Sequence, residues 1–318
     1  MTNRMPSSVA WAEFRRRCLK PDPERLGTWT ARRLGRPAAL CVTWVVAPLG
    51  MTANHATIGA MLAALGAVVA FGCGTSLGWL VGALLLPLWY LLDHVDGQLA
   101  RWHRTASLDG TTVDYLMHHS VNMLLPIGLG FGLMRELDSP LWCLAGIVWG
   151  WSTLVIGLRH DARYKAFVQR LKLLNGELNV VGGGGGRPEA GTTPRRELKH
   201  WLRWSALKAY EAHVVMGVLF VLAVVRFAAP QFGTWLAAGF VATMALPAPL
   251  LAVLLAVRSF KSDEAEREFT LWYRVRETDT LEFRDGWWYV EQATSESLPA
   301  CRLDPSREEL QNCSTREV

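Results

Sequence analysis

The chain has 318 residues, of which 51% are hydrophobic and only 19% charged, with fifteen Trp and a net charge of +5. A soluble chain of this length carries more charge, and the apolar residues here are bunched into runs near the roughly 20 that a bilayer-crossing helix needs. An ordinary soluble domain is thereby excluded, and the basic excess between apolar runs argues for membrane topology rather than for nucleic-acid binding.

The N-terminus, "MTNRMPSSVAWAEFRRRCLKPDPERLGTWTARRLGRP", is polar and Arg-rich, with no apolar core before a cleavage site, so no secretory signal is read there. The next stretch, "RRLGRPAALCVTWVVAPLG", is too short and broken to cross a bilayer. It fits a segment lying in the interface, or else the start of a long first span.

Six spans follow, at roughly 54–73, 77–100, 111–134, 138–158, 211–228 and 233–257. The links near 74–76, 135–137 and 229–232 contain few Lys or Arg, whereas segment 159–210 has eleven Lys or Arg against four acids. The side bearing that segment, both termini and the turn "RWHRTASLDG" is therefore expected to be cytoplasmic. The expected fold is an all-α polytopic membrane protein of about six transmembrane helices. Its organisation is a cytoplasmic or interfacial N-terminal segment 1–50, a six-helix core 51–260 with a flexible loop 159–210, and a cytoplasmic tail 261–318.

Smaller signals carry less. The run "GGGGG" at 182–186 has no preceding strand and no following Gly-Lys-Ser/Thr, so it reads as a linker and not as a phosphate loop. Six cysteines show no CxxC pairing, which suggests neither a disulfide framework nor a zinc site. In the tail, "TLEFRDGWWYVE" alternates around an Asp-Gly and fits a hairpin or a loosely ordered stretch. Pro247 and Pro249 are expected to kink the sixth span.

The chemistry concentrates where spans two and three meet water, in "LLDHVDGQLARWHRTASLDGTTVDYLMHH". Asp93, Asp96 and Ala100 share one helix face by their spacing, and Asp114 and His118 share a face of the next helix. Acidic groups in a membrane helix are costly and mark function. Clustered carboxylates also repel one another unless a cation is present. Arg101 and Arg104 can pair with one of three, so a bound divalent metal resolves the repulsion best. Oxygen ligands favour Mg²⁺ or Mn²⁺, and Mg²⁺ completes its shell on substrate phosphate. Gly97, Ala100, Ser107 and Gly110 remove bulk beside the acids, for ligand approach or for close helix packing. Arg101 adds a planar fork for phosphate.

These residues resemble the CDP-alcohol phosphotransferase family, whose pattern is D-x-x-D-G-x-x-A-R-x8-G-x3-D-x3-D. Asp93, Asp96, Gly97, Ala100, Arg101, Gly110 and Asp114 stand at its positions, Ser107 matches a serine often found there, and "TANHAT" keeps Asn54 and Thr57 of its P-N-x-x-T motif. The resemblance covers roughly 37–260. It implies a Mg²⁺- or Mn²⁺-dependent transfer of a substituted phosphate from a CDP-linked donor to an alcohol, releasing CMP, in phospholipid biosynthesis. Asp93, Asp96 and Asp114 would hold the metal, and Gly97, Ala100, Arg101, Ser107 and Gly110 the nucleotide. The family is also the sole source for a homodimer and for a lipid partner admitted from the bilayer.

One position departs from the family. Its last aspartate, metal ligand and base for the acceptor hydroxyl, is replaced by His118. An imidazole serves as a general base but is a poorer ligand for a hard ion. Either His118 is the base, with Asp114 beside it, or the site has lost catalysis and retains nucleotide binding. His119, one position on, points about 100° away around the helix.

CDP-diacylglycerol is the expected donor, with CDP-choline or CDP-ethanolamine acting on diacylglycerol as the alternative. A transporter, or an inactive membrane relative, is the third possibility; transporter carboxylates sit near the midplane, whereas these lie at a helix end. Arg159, Arg163 and Lys165 fit positive-inside anchoring or, less well, a phosphorylated acceptor.

Overall fold

The computed structural model describes residues 11–19, 28–175, 205, 208–261, 265–266, 268–269, 280–284 and 287–291. The pentaglycine, most of the 159–210 loop, the tail beyond 291 and the two C-terminal cysteines lie outside the described residues. Contacts divide the chain into two units, one of residues 1–157 and 195–253, the other of 158–194 and 254–318.

The first unit is helical. A short helix α1 (Trp11–Cys18) is followed by a π-helical turn, Ala31–Gly35, that runs into α2 (Arg36–Val46). Turn residues then separate α2 from α3 (Ala53–Gly72), so α2 is a helix of its own and not the start of a long first span. Two buried polar side chains dock it on α4 (Ser76–His103): Thr43 Oγ1 donates to Gln98 Oε1 at 2.9 Å, and Gln98 Nε2 donates to the Arg36 carbonyl at 3.1 Å. Thr52 starts α3 by a reciprocal cap, its hydroxyl facing the His55 amide while His55 Nδ1 faces the Thr52 amide.

Helix α5 (Leu108–Leu137) follows after a short turn, and α6 (Leu141–Leu173) begins the return. Helices α7 (Ala212–Ala228), α8 (Pro230–Ala245) and α9 (Ala248–Lys261) follow. Helix α3 packs against both α4 and α5, and α7 packs against α4 and α8. The core between them is Ala-rich on α3 (Ala60, Ala63, Ala64, Ala67), met by Phe71, Trp79, Leu86, Leu129 and Leu219. Small residues on one helix let large ones on its neighbours approach closely.

Four stretches are long and apolar enough to cross a membrane: Ala53–Gly72, Ser76–His103, Leu141–Leu171 and Pro230–Ser259. The other two expected spans fall on helices as well. The apolar run of α5 is diluted by His118, His119, Ser120 and Asn122 near its middle, and α7 is a shorter apolar helix. The sixth span is interrupted as the prolines predict. Its helix breaks at Leu246–Pro247 and resumes as α9, because Pro247 and Pro249 have no N–H to give the preceding turn.

The second unit contains the end of α6 and a small sheet that an all-α assignment omits. Strands β2 (Thr280–Arg284) and β3 (Trp287–Glu291) pair antiparallel, with Arg284 opposite Trp287. That is the register of the hairpin expected around Asp285-Gly286, and β1 (Leu174–Asn175) adds to β3 in parallel. Within the same unit, Arg159 Nη1 donates to Ser259 at 2.7 Å and Arg163 Nη1 to Glu268 at 2.7 Å. Arg170 pairs with Glu266, which holds that carboxyl below its ordinary value.

Candidate metal and nucleotide site

Two helix termini set the site. Asp93, Asp96, Gly97, Ala100 and Arg101 occupy the last three turns of α4, which ends on Arg104 in the left-handed conformation. Ser107 then caps α5: its Oγ accepts the Gly110 amide at 3.0 Å, satisfying one of the four N–H groups a helix start leaves open. This cap brings Asp114 and His118 to the first turns of α5.

Three of the expected residues converge. His118 Nε2 lies 3.1 Å from Asp93 Oδ1 and 3.4 Å from Asp114 Oδ1. One ligand atom from each of Asp93, Asp114 and His118 falls within 4.8 Å of the other two. Asp93 is deep, its side chain 10% exposed against 44% for Asp114, so the cluster opens on the α5 side. Asp93 Oδ1 is buried yet accepts no well-aligned hydrogen bond, the His118 nitrogen being near but poorly directed. A buried carboxylate oxygen with a free lone pair, facing a second carboxylate and an imidazole, fits a divalent cation.

Asp96 stands outside that group of three. Its Oδ2 accepts a 2.8 Å hydrogen bond from Thr57 of α3, which orients the carboxylate. Here the Thr of "TANHAT" acquires a physical function. His94 is the neighbour that sequence reasoning passed over: its Nδ1 is 3.3 Å from Asp93 Oδ2, and its ring lies against Gly35, where an added Cβ would stand 2.8 Å away. A histidine next to a motif aspartate was the available signal.

Arg101 is used differently from the expectation that it pairs with a carboxylate. Its Nε donates to the Cys18 carbonyl at 2.5 Å, and its guanidinium folds over Gly97, where a Cβ would meet Nη1 at 3.3 Å. Cys18 ends α1, which the polar N-terminal sequence had not suggested as a helix. Phe14 and Cys18 are fully buried against α4, and Phe14 packs on Trp44 and Trp102 with ring centroids 4.9 and 4.8 Å apart. Burial pushes the Cys18 thiol up to about 12 against the pull of the Arg101 charge, so it is a neutral packing group. Ser107 and Gly110 are exposed at the turn, while Gly97, Ala100 and Arg101 are half-buried.

Residues 50–173, from the start of α3 to the end of α6, match the family model described as CDP-alcohol phosphatidyltransferase. Over this segment the chain is similar to that family. No curated protein matches it. CDP-alcohol phosphatidyltransferases are divalent-metal-dependent transferases that move a substituted phosphate from a CDP-alcohol in lipid synthesis. That likeness, with four stretches among the described residues long and apolar enough to span a bilayer, supports an integral membrane protein. All the site residues fall within the matched segment, including the histidine at the position where this family has aspartate.

Proposed function

We propose that the chain transfers a substituted phosphate from a CDP-linked donor to an alcohol and releases CMP, as an active CDP-alcohol phosphatidyltransferase. The observation that carries this reading is the approach of His118 Nε2 to both Asp93 and Asp114. A relative that had lost its chemistry would have no need to keep an imidazole lodged between two carboxylates on different helices.

Asp93 and Asp114, with Asp96 beside them on the same face of α4, would hold the ion. An all-carboxylate set suits Mg²⁺ or Mn²⁺ and leaves the His118 imidazole free of the ion. When bound, the ion neutralises charge on the diphosphate as the bond to CMP breaks. The chain's own residues do the rest. Arg101, fixed by the Cys18 carbonyl and folded over Gly97, receives the nucleotide, with Ala100, Ser107 and Gly110 beside it. His118 Nε2 takes the proton from the acceptor hydroxyl while that oxygen attacks the β-phosphorus. The phosphorus–oxygen bond to CMP breaks and CMP leaves with the electron pair.

CDP-diacylglycerol is the first donor to test, and CDP-choline or CDP-ethanolamine the second. In this reading the core spans residues 51–260 with six crossings, the segments 1–50 and 261–318 flank it, and the site and both termini are cytoplasmic; the eleven basic residues of 159–210 support that orientation. A homodimer is the family's usual assembly.

The test is CMP release by the purified chain in detergent with each donor, an acceptor panel, and Mg²⁺ or Mn²⁺. Removing a general base costs about 10²–10⁴ in rate, so His118→Ala is expected to lose at least 100-fold, and His118→Asp to recover part of it with a shift toward Mg²⁺. Asp93→Asn should abolish release. Full activity in His118→Ala would move the base elsewhere, and no release with any donor or metal would leave a nucleotide-binding relative.

A further inference from the structure

Behind the acidic cluster, within the first unit, lies a cavity of about 210 Å³ among α4, α5, α6 and the start of α7. It shares a wall with the site: Trp89 lines the cavity, and its ring sits edge-on to His118 with centroids 5.7 Å apart. Asn122, one turn beyond His118 on α5, lines it too. Most of the lining is hydrocarbon or aromatic, with Leu86, Leu125, Trp149, Ile156 and Val215 around it, and among the described residues lining it none is Lys, Arg or His.

The polar groups that do reach it are few. Trp89 is 2% exposed, and among the described residues its indole N–H has no acceptor. Glu211 gives one carboxylate oxygen to Lys208. Its other oxygen is buried without a hydrogen bond, His213 standing 3.4 Å off. The Thr153 hydroxyl spends its proton on backbone carbonyls, Asn122 among them at 3.0 Å, and keeps its lone pairs. The Tyr210 hydroxyl is committed to the Met244 carbonyl at 2.7 Å.

Resting on the transferase reading above, we infer that this cavity receives the acceptor, and that the acceptor is an uncharged alcohol with a hydrocarbon body. A buried indole N–H without a partner costs free energy until an oxygen meets it. A hydroxyl or ester oxygen satisfies it, and a hydroxyl proton satisfies the open oxygen of Glu211. Among the described residues lining the cavity a phosphorylated polyol finds no cation and would bring its charge against Glu211, a cost that the apolar surroundings magnify. A cationic amino alcohol is not called for either, because Lys208 already balances Glu211. Arg159 and Arg163, the residues best placed in sequence to hold a phosphorylated acceptor, instead bind Ser259 and Glu268 in the second unit. The edge contact of Trp89 with His118 puts a wall of the cavity beside the base, where the acceptor hydroxyl must arrive.

The test uses the full-length chain in detergent and has two arms. In the first, a diazirine-bearing long-chain alcohol is photolysed with the protein and the labelled peptides are mapped. Label on the α5 and α6 segments around Asn122 and Thr153, displaced by diacylglycerol but not by glycerol 3-phosphate, is expected. Displacement by CDP-diacylglycerol alone would give the cavity to the donor's chains and overturn the assignment, as would label confined to other helices. In the second arm CMP release is measured with diacylglycerol or dodecanol against glycerol 3-phosphate and inositol phosphate. Ile156→Trp, which fills the cavity, and Trp89→Phe, which removes the N–H, should each raise KM for the apolar alcohol about tenfold or more while moving kcat less than threefold. Release with only a phosphorylated acceptor would sink this inference and leave the transferase standing. Mapped, competed label without any CMP release would do the reverse.

Discussion

Ser107 illustrates how one side chain serves two ends. Its family position places it near the nucleotide, and its hydroxyl caps α5 through the Gly110 amide at 3.0 Å. Removing such a cap costs about 1 kcal/mol, so Ser107→Ala is expected to lower the unfolding midpoint by a few degrees, read by thermal unfolding in detergent. If nucleotide binding weakens far more than stability, the hydroxyl also touches the ligand. His118 belongs to the same scale. Sequence placed it on one face with Asp114, because four residues make one helical turn. Its closer approach to Asp93 on α4 came from packing, and no spacing within α5 could have revealed it. Thr57 and His94 were similarly invisible as partners, since their roles depend on where α3 and the Ala31–Gly35 turn lie against α4.

Among the elements, α5 depends most on its neighbours. Its Pro126 has no N–H for the Asn122 carbonyl, and Thr153 of α6 donates to that oxygen instead at 3.0 Å. The crossing that brings Thr153 there is held by glycine. A Cβ on Gly146 of α6 would stand 2.4 Å from the Pro126 carbonyl, and one on Gly132 would stand 2.1 Å from the Phe71 carbonyl of α3. Overpacking such a contact costs about 1–3 kcal/mol. Gly146→Val is expected to lower the unfolding midpoint, and also to cut activity more than that loss explains, since α6 walls the cavity. Unchanged stability would mean that the two helices separate freely.

For the first unit as a whole, the counterweight to the acidic site is a buried ion pair near the far ends of the same helices. Arg226 of α7, fully buried, pairs with Glu136 of α5, donates to the Gly74 carbonyl at 2.7 Å and lies 4.8 Å over the Trp79 ring. Thr234 of α8 gives its hydroxyl to the other Glu136 oxygen at 2.6 Å. Four helices and one loop are tied at this point. Breaking a buried pair by removing one partner costs about 3–5 kcal/mol, whereas replacing both is often near neutral. Arg226→Met is therefore expected to destabilise the chain strongly and Arg226→Met/Glu136→Gln much less, measured by thermal unfolding. Equal loss in both would show that the Gly74 and Trp79 contacts matter more than the charge.

Sequence alone pointed to the membrane class, the helical build of the first unit, an interruption near Pro247 and Pro249 and a hairpin as one of two readings of the tail, because hydropathy, missing N–H groups and alternation are local properties. It also carried the family resemblance, because the D-x-x-D-G-x-x-A-R pattern and its continuation into α5 are contiguous in the chain. The tertiary structure decided what long-range packing alone can decide. It brought His118 to Asp93, turned Asp96 toward Thr57, sent Arg101 to the carbonyl of a helix 83 residues earlier, and left an indole N–H unpaired in an apolar cavity beside the base. Those are meetings between side chains far apart in sequence, fixed by which helix faces touch, and a periodicity read along one helix carries no information about its neighbour.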